Sequence, residues 1–280
     1  MPLPATPDPL VDALGTRHQP AGAACRIVSL VPSITELLFD LGMADRLVGR
    51  TGFCVHPRPA IDAVPKVGGT KDVNLGRLRA LAPTHVIVNV DENDAPLVAA
   101  LREFVPCIVV THPQRPEDNL PLYRLMGALF HATAAAETLC NALERELVAC
   151  RASPWRPERV LYLVWREPWM TVAGDTYIAG MLALVGWDVP YPPGGFAGAA
   201  RYPTVDLAAE VPRVERVLLS SEPYLFGAAD RAEVQARFAS VPVELIDAEM
   251  TSWYGSRAIA GLRYLRERRR QSLAHPAGPP

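Results

Sequence analysis

Short apolar runs alternate with stretches of helical spacing along most of the chain. Residues 26–31, 85–89 and 107–111 are apolar runs of the length and continuity expected of strands buried on both faces. After the first run, Ser33-Ile34-Thr35-Glu36 has the spacing of a capping box, opening a helix that ends near Gly42. Residues 95–104 have helical spacing between the second and third runs. The alternation resumes later: 159–164, 216–220 and 243–247 read as strands, and 176–185, 228–239 and 256–268 as helices. This order predicts α/β lobes with parallel sheets.

The intervening stretch is different. From 119 to 151 apolar residues recur at helical spacing (Leu122, Leu125, Met126, Leu129, Ala136, Leu139, Leu143, Leu147), and no proline follows Pro121 until Pro154. One helix of that length would span roughly 45 Å. It suits either the core of a single domain or, as preferred here, a rigid connector between two lobes. The resulting division is a flexible leader at 1–24, an N-terminal α/β lobe at 25–118, a connecting backbone helix at 119–152, a C-terminal α/β lobe at 153–268 and a disordered tail at 269–280.

Composition narrows the function. The 28 prolines in 280 residues, about twice the usual share, predict many short elements set off by fixed turns. A net charge of -2 argues against nucleic-acid binding through phosphates, and no apolar run approaches the roughly 18 residues of a membrane span. The first 25 residues lack a basic segment followed by an apolar one, so a cytoplasmic location is expected. Five cysteines, none spaced C-x-x-C, predict neither a disulfide framework nor a structural zinc site.

Catalytic signatures fail. Gly69-Thr70-Lys71 is followed by Asp72 where a phosphate loop needs Ser or Thr, and no dinucleotide turn, nucleophile elbow or zinc-protease motif is present. No enzyme and no catalytic cofactor is expected. The alternative, a metal- or tetrapyrrole-handling enzyme, would draw on Cys54, His56 and Glu92, with Cys54-x-His56 as metal ligands. Residues 1–140 carry five aromatics and no Trp, whereas 141–280 carry fifteen. Trp165, Trp169, Tyr202, Tyr224, Trp253 and Tyr254 fall where strands pass into loops, the position from which open α/β sheets bind ligands. Packing in cores and interfaces is the plainer use of such residues.

The run from Arg26 to Glu36 resembles the opening of the cobalamin-binding proteins of ABC importers, part of the helical-backbone periplasmic-binding-protein family for cobalamin, siderophores, haem and metals. Matches continue in order: Leu47-Val48-Gly49 before Phe53 and His56-Pro57, Val67-Gly68-Gly69 before Asn74-Leu75, Leu81-Ala82-Pro83, Thr171 to Tyr177, Arg201-Tyr202-Pro203, and Trp253 to Arg257. They span about 26–266. The resemblance implies two Rossmann-like α/β lobes with parallel sheets joined by one long backbone helix, and non-catalytic binding of cobalamin or a related corrinoid in the cleft between them. Haem, a siderophore or an iron chelate is the alternative ligand. Carried over residue by residue, the ligand contacts are Phe53, Thr70, Asn89, Met170 and Tyr202, with Trp253 and Tyr254 near the cleft and Trp165 and Trp169 adding ring area. The chain would be the solute-binding component of an ABC importer, monomeric and periplasmic, or a cytoplasmic relative. Family members dock on their permease through one acidic residue per lobe. Gly76 and Ala208 stand at those positions, with Asp72 and Glu210 as the nearest acids, which weakens the permease as a partner.

Overall fold

The computed structural model describes residues 8–192, 201–211 and 213–274, and within it the chain divides into two compact units. The first comprises Met1–Pro113, Asp118–Ala142 and Tyr254–Ser256. Its sheet uses β1 (Ile27–Ser29), β2 (Leu47–Arg50), β3 (His85–Asn89) and β4 (Cys107–Thr111) in the order β2-β1-β3-β4, all parallel. Every residue of β1 and β3 is buried, as a sheet covered on both faces requires. Helices α1 (Pro32–Asp40), α2 (Leu75–Ala80) and α3 (Ala95–Arg102) link the strands, and Leu30, Leu78, Val86, Val88 and Leu101 share one core. Helix α4 (Asn119–Leu129) follows.

The second unit comprises Gln114–Glu117, Leu143–Trp253 and Arg257–Pro280. Its strands are β5 (Glu158–Trp165), β6 (Met170–Thr171), β7 (Trp187–Asp188), β8 (Arg216–Ser220) and β9 (Val243–Ile246). The main order is β6-β5-β8-β9, with β7 beside the first residues of β5; only β6 is antiparallel. Helices α6 (Tyr177–Ala183), α7 (Leu207–Glu210), α8 (Ala228–Arg237), α9 (Glu249–Ser252) and α10 (Arg257–Ala274) complete it around Leu161, Leu163, Val217, Leu219 and Phe238.

Four expectations need correction. Residues 8–24 are not a loose leader: Ala13 N donates to Val110 O at 3.1 Å and Ala21 N to Leu129 O at 2.8 Å, while Asp12 and His18 are buried. The capping box at Ser33 does not form, because the cap position is Val31, two residues earlier, and Pro32 opens the first turn. Thr35 Oγ1 instead donates to Val31 O at 2.9 Å. The single long helix is two. After α4 the chain turns through Phe130-His131-Ala132, with His131 at φ 59° and its Nε2 2.8 Å from Ala21 O. Helix α5 (Thr133–Arg151) then passes from the first unit into the second between Ala142 and Leu143, a length of roughly 28 Å. Finally, the arginine-rich tail is helical to Ala274. Arg269 is buried, pairs with Glu158 and donates to Arg156 O at 2.6 Å, while Arg216 and Trp187 reach the same carboxylate at 3.0 Å each. Residues 275–280 lie outside the described residues.

Residues 254–256 belong to the first unit although their chain neighbours belong to the second. Tyr123 Oη donates to Gly255 O at 2.7 Å, and Gly255 N donates to Asn119 Oδ1 at 2.6 Å. Gly255 has φ +72°, and a Cβ there would lie 2.9 Å from Ser33 O.

The turn at His131 packs α5 against α4 so tightly that a Cβ on Gly127 would lie 2.5 Å from that of Ala136. Gly127→Ala should therefore lower stability by about 1–3 kcal/mol in urea unfolding, despite alanine's better helix propensity. Adding Ala136→Gly should recover part of the loss.

Candidate functional site

In the first unit the loops beyond the carboxyl ends of the strands are built on buried polar groups. Arg50, the last residue of β2, is buried and donates to four carbonyls: Ile61 at 3.1 Å, Val64 at 3.2 Å, Thr51 at 3.3 Å and Cys54 at 2.9 Å. Those bonds shape the loop that carries Phe53, whose ring is 61% exposed. A Cβ on Gly69 would lie 3.3 Å from that ring, so Phe53 and the loop bearing Thr70 lie side by side.

Asn89, at the end of β3, is buried. Its Nδ2 donates to Thr111 O at 3.0 Å and its Oδ1 accepts from Asp91 N at 2.8 Å. Asn93 Oδ1 accepts from Asn89 N at 2.9 Å, and Asn93 Nδ2 donates to Thr70 O at 2.9 Å. Asn93 thus ties the end of β3 to the loop that presents Thr70, and Asn89 ties it to β4. Tyr254 is buried and donates to Glu92 Oε1 at 2.7 Å; burial, then the Glu92 charge, keeps its phenol protonated well above the usual range.

Cys54 does not suit a reactive or metal-binding role. It is fully buried, its sulfur lies 3.0 Å from Thr35 Oγ1 and 3.2 Å from Thr51 Oγ1, and burial raises its pKa. Among the described residues no three His, Cys, Asp or Glu side chains gather as a metal site.

The second unit concentrates aromatics at the carboxyl ends of β5 and β8. Trp165 ends β5 with 39% of its surface exposed, set edge-on to Tyr224 at 5.8 Å. Tyr224 meets Phe226 at 4.7 Å, and Phe226 stacks on Trp169 at 6.0 Å and 7°. Arg166 lies 5.5 Å from the Trp169 ring and is fixed by Asp230 at 2.5 Å and Glu233 at 2.8 Å. Trp169 is therefore a packed anchor, whereas Trp165 presents a face.

Met170, in β6, pairs with Thr204, and Thr171 N donates to Pro203 O at 3.0 Å. This places Tyr202, 38% exposed, on the neighbouring strand-like segment. Trp253 is buried, donates to Glu222 Oε1 at 2.8 Å and has Arg257 4.9 Å from its ring centre.

The structure brings Trp165, Trp169 and Trp253 onto one loop, residues 221–227, which follows β8. Glu222 holds Trp253, Tyr224 flanks Trp165 and Phe226 backs Trp169. Of these three holders, the sequence reading singled out only Tyr224, by its place after a strand. Arg50, Asn93, Glu222 and Phe226 went unnoticed.

The family model for the periplasmic binding proteins matches residues 27–201. The chain belongs to that family, and it is a binding protein, not an enzyme. The vitamin B12-binding protein of Vibrio parahaemolyticus is 26% identical over 199 residues, 70% of each chain. The solved periplasmic vitamin B12-binding protein of Vibrio cholerae superposes with a TM-score of 0.74 at 17% identity, over 89% of this chain and 97% of the other. The periplasmic haem-binding protein of the same organism gives 0.73 at 22% identity, over 91% and 100%. These likenesses bear out the two-lobed α/β fold. They support the periplasmic alternative and lend nothing to the cytoplasmic expectation. No described helix is long and apolar enough to cross a membrane.

Burial raises the pKa of Glu222, with Glu249 and Asp247 adding to the shift, so the folded chain holds that proton more tightly than the unfolded one. Stability contributed by this group is therefore lost as pH rises above the ordinary value of 4.5. Glu222→Gln, which keeps an acceptor for Trp253, should melt higher than the parent at neutral pH. The gap should close below pH 4.5.

Proposed function

We propose that the protein binds cobalamin or a related corrinoid, as the solute-binding component of a periplasmic ABC importer. The observation that carries this reading is the set of exposed rings: Phe53 and Trp165 at the carboxyl ends of β2 and β5, and Tyr202 on the segment beside β6. Such rings suit a large flat ligand with apolar faces, and neighbouring neutral polar groups such as Thr70 suit its amide side chains. The named B12-binding relatives support the choice of ligand.

Phe53, Thr70, Met170, Trp165 and Tyr202 are the proposed contacts. Asn89, Trp169, Trp253 and Tyr254 act mainly by holding them, since each is packed or hydrogen-bonded within its own unit.

The permease contact needs a different acid from one considered above. Gly76 and Ala208 each stand second in a short helix and are exposed, but Glu210 is buried, with Arg213 3.5 Å from its carboxylate. Asp72 and Asp206 are exposed and remain as substitutes.

Calorimetric titration with cyanocobalamin should give one-to-one binding. Trp165→Ala and Tyr202→Ala should each weaken it by roughly tenfold, about 1.4 kcal/mol. Haemin binding tightly where cyanocobalamin gives no heat would transfer the same site to haem.

A further inference from the structure

At the end of the first sheet opposite to the proposed ligand contacts, the N-terminal segment sets a histidine and an aspartate against a thiol. Cys107 opens β4, and its Sγ lies 3.3 Å from His18 Nδ1. His18 Nε2 lies 3.0 Å from Asp12 Oδ2. A carboxylate only accepts, so Nε2 carries the hydrogen and the Nδ1 lone pair faces the thiol. Asp12 is fixed in turn: Oδ1 accepts from Leu14 N and Thr16 N, both at 3.0 Å, and Oδ2 from Val110 N at 3.1 Å.

His18 and Asp12 are buried, while Cys107 is half-buried and the other four cysteines are buried. His85, opposite Cys107 in the β3–β4 register, is buried too; desolvation, then His18, lowers its pKa, so it adds no positive charge at neutral pH.

We propose that Cys107, His18 and Asp12 form a thiol-exchange site that takes up a small disulfide. As Sγ attacks one sulfur of R–S–S–R, the thiol proton passes to His18 Nδ1. The S–S bond of the reagent breaks and a Cys107–S–S–R bond forms. The departing thiolate takes the proton from His18 and leaves as R–SH. The disulfide is the oxidant, and one of its sulfurs is reduced. Asp12 is a positioning residue that holds the ring and steadies the transient imidazolium. Burial, with the Asp12 charge adding, pushes the Cys107 thiol up to about 11, so direct ionisation supplies little thiolate at neutral pH and the relay is the route that the geometry offers. The site is independent of the ligand reading above.

The test treats the full-length protein with 5,5′-dithiobis(2-nitrobenzoate), following thiol release and locating the adduct by peptide mass mapping. One equivalent should react at Cys107 at neutral pH at least as fast as free cysteine does, and Cys107→Ser should abolish it. His18→Gln should slow it by roughly 100-fold, and Asp12→Asn should slow it and shift its pH profile. The parent's rate should level off with rising pH instead of following thiolate formation. A different first-reacting cysteine, or a His18→Gln rate equal to or above the parent's, would overturn the proposal. If the variant's other thiols become reactive through loosening, the parent's own profile decides. A plateau supports the relay, and a climb of about tenfold per pH unit to alkaline pH refutes it.

Discussion

A strand buried on both faces has no side chain to spare for a ligand. All five residues of β3 and of β8 are buried, so anything the molecule recognises must be met by residues beyond the strand ends. That constraint governs both units. Loops at those ends expose rings to solvent, and they hold their shape through bonded polar groups, buried in the case of Arg50, Asn89 and Asn93 and half-buried in that of Glu222. Arg50 does this with four carbonyl acceptors, Asn89 and Asn93 with a chain of amide contacts, and Glu222 with an indole and a hydroxyl. A buried polar group left unmatched in such a loop would cost about 1–3 kcal/mol, and each of these makes at least two hydrogen bonds.

Two kinds of aromatic residue result. Trp169, half-buried, is backed by Phe226, and Trp253, buried, by Arg257, whereas Trp165 and Tyr202 keep more than a third of their surface exposed. The anchored rings confer rigidity on the exposed ones. Recognition by stiff rings loses little side-chain entropy on binding, so the packing beneath a contact residue matters as much as the residue itself.

The runs 85–89, 107–111 and 216–220 were legible as strands because each has three consecutive apolar residues at its centre, all of them buried except Ile108. The break in the long apolar stretch was not. Phe130-His131-Ala132 contains neither Gly nor Pro, and the apolar spacing on either side stays in step. Only the packing of α5 on α4 and the carbonyl of Ala21 account for the left-handed turn at His131. The leader looked loose because proline and alanine dominate it, although Asp12, His18 and Ala21 are enough to fasten it. In the candidate site, aromatic residues near strand ends such as Trp165 could be picked out from the sequence as candidates. Glu222 and Phe226 could not, because each acts on a neighbour that the fold supplies and the linear order does not, and Arg50 could not because its partners are backbone carbonyls, which no side-chain pattern marks.

Tyr254, Gly255 and Ser256 have a consequence for how such a chain can be inherited or rearranged. The first unit is not encoded by one uninterrupted stretch: its bonds to Asn119 and Tyr123 are completed by three residues lying more than a hundred positions downstream. No single crossover can therefore exchange one unit for that of a relative without either leaving this tripeptide behind or bringing in a foreign one. Substitution within the loops of either unit meets no such obstacle.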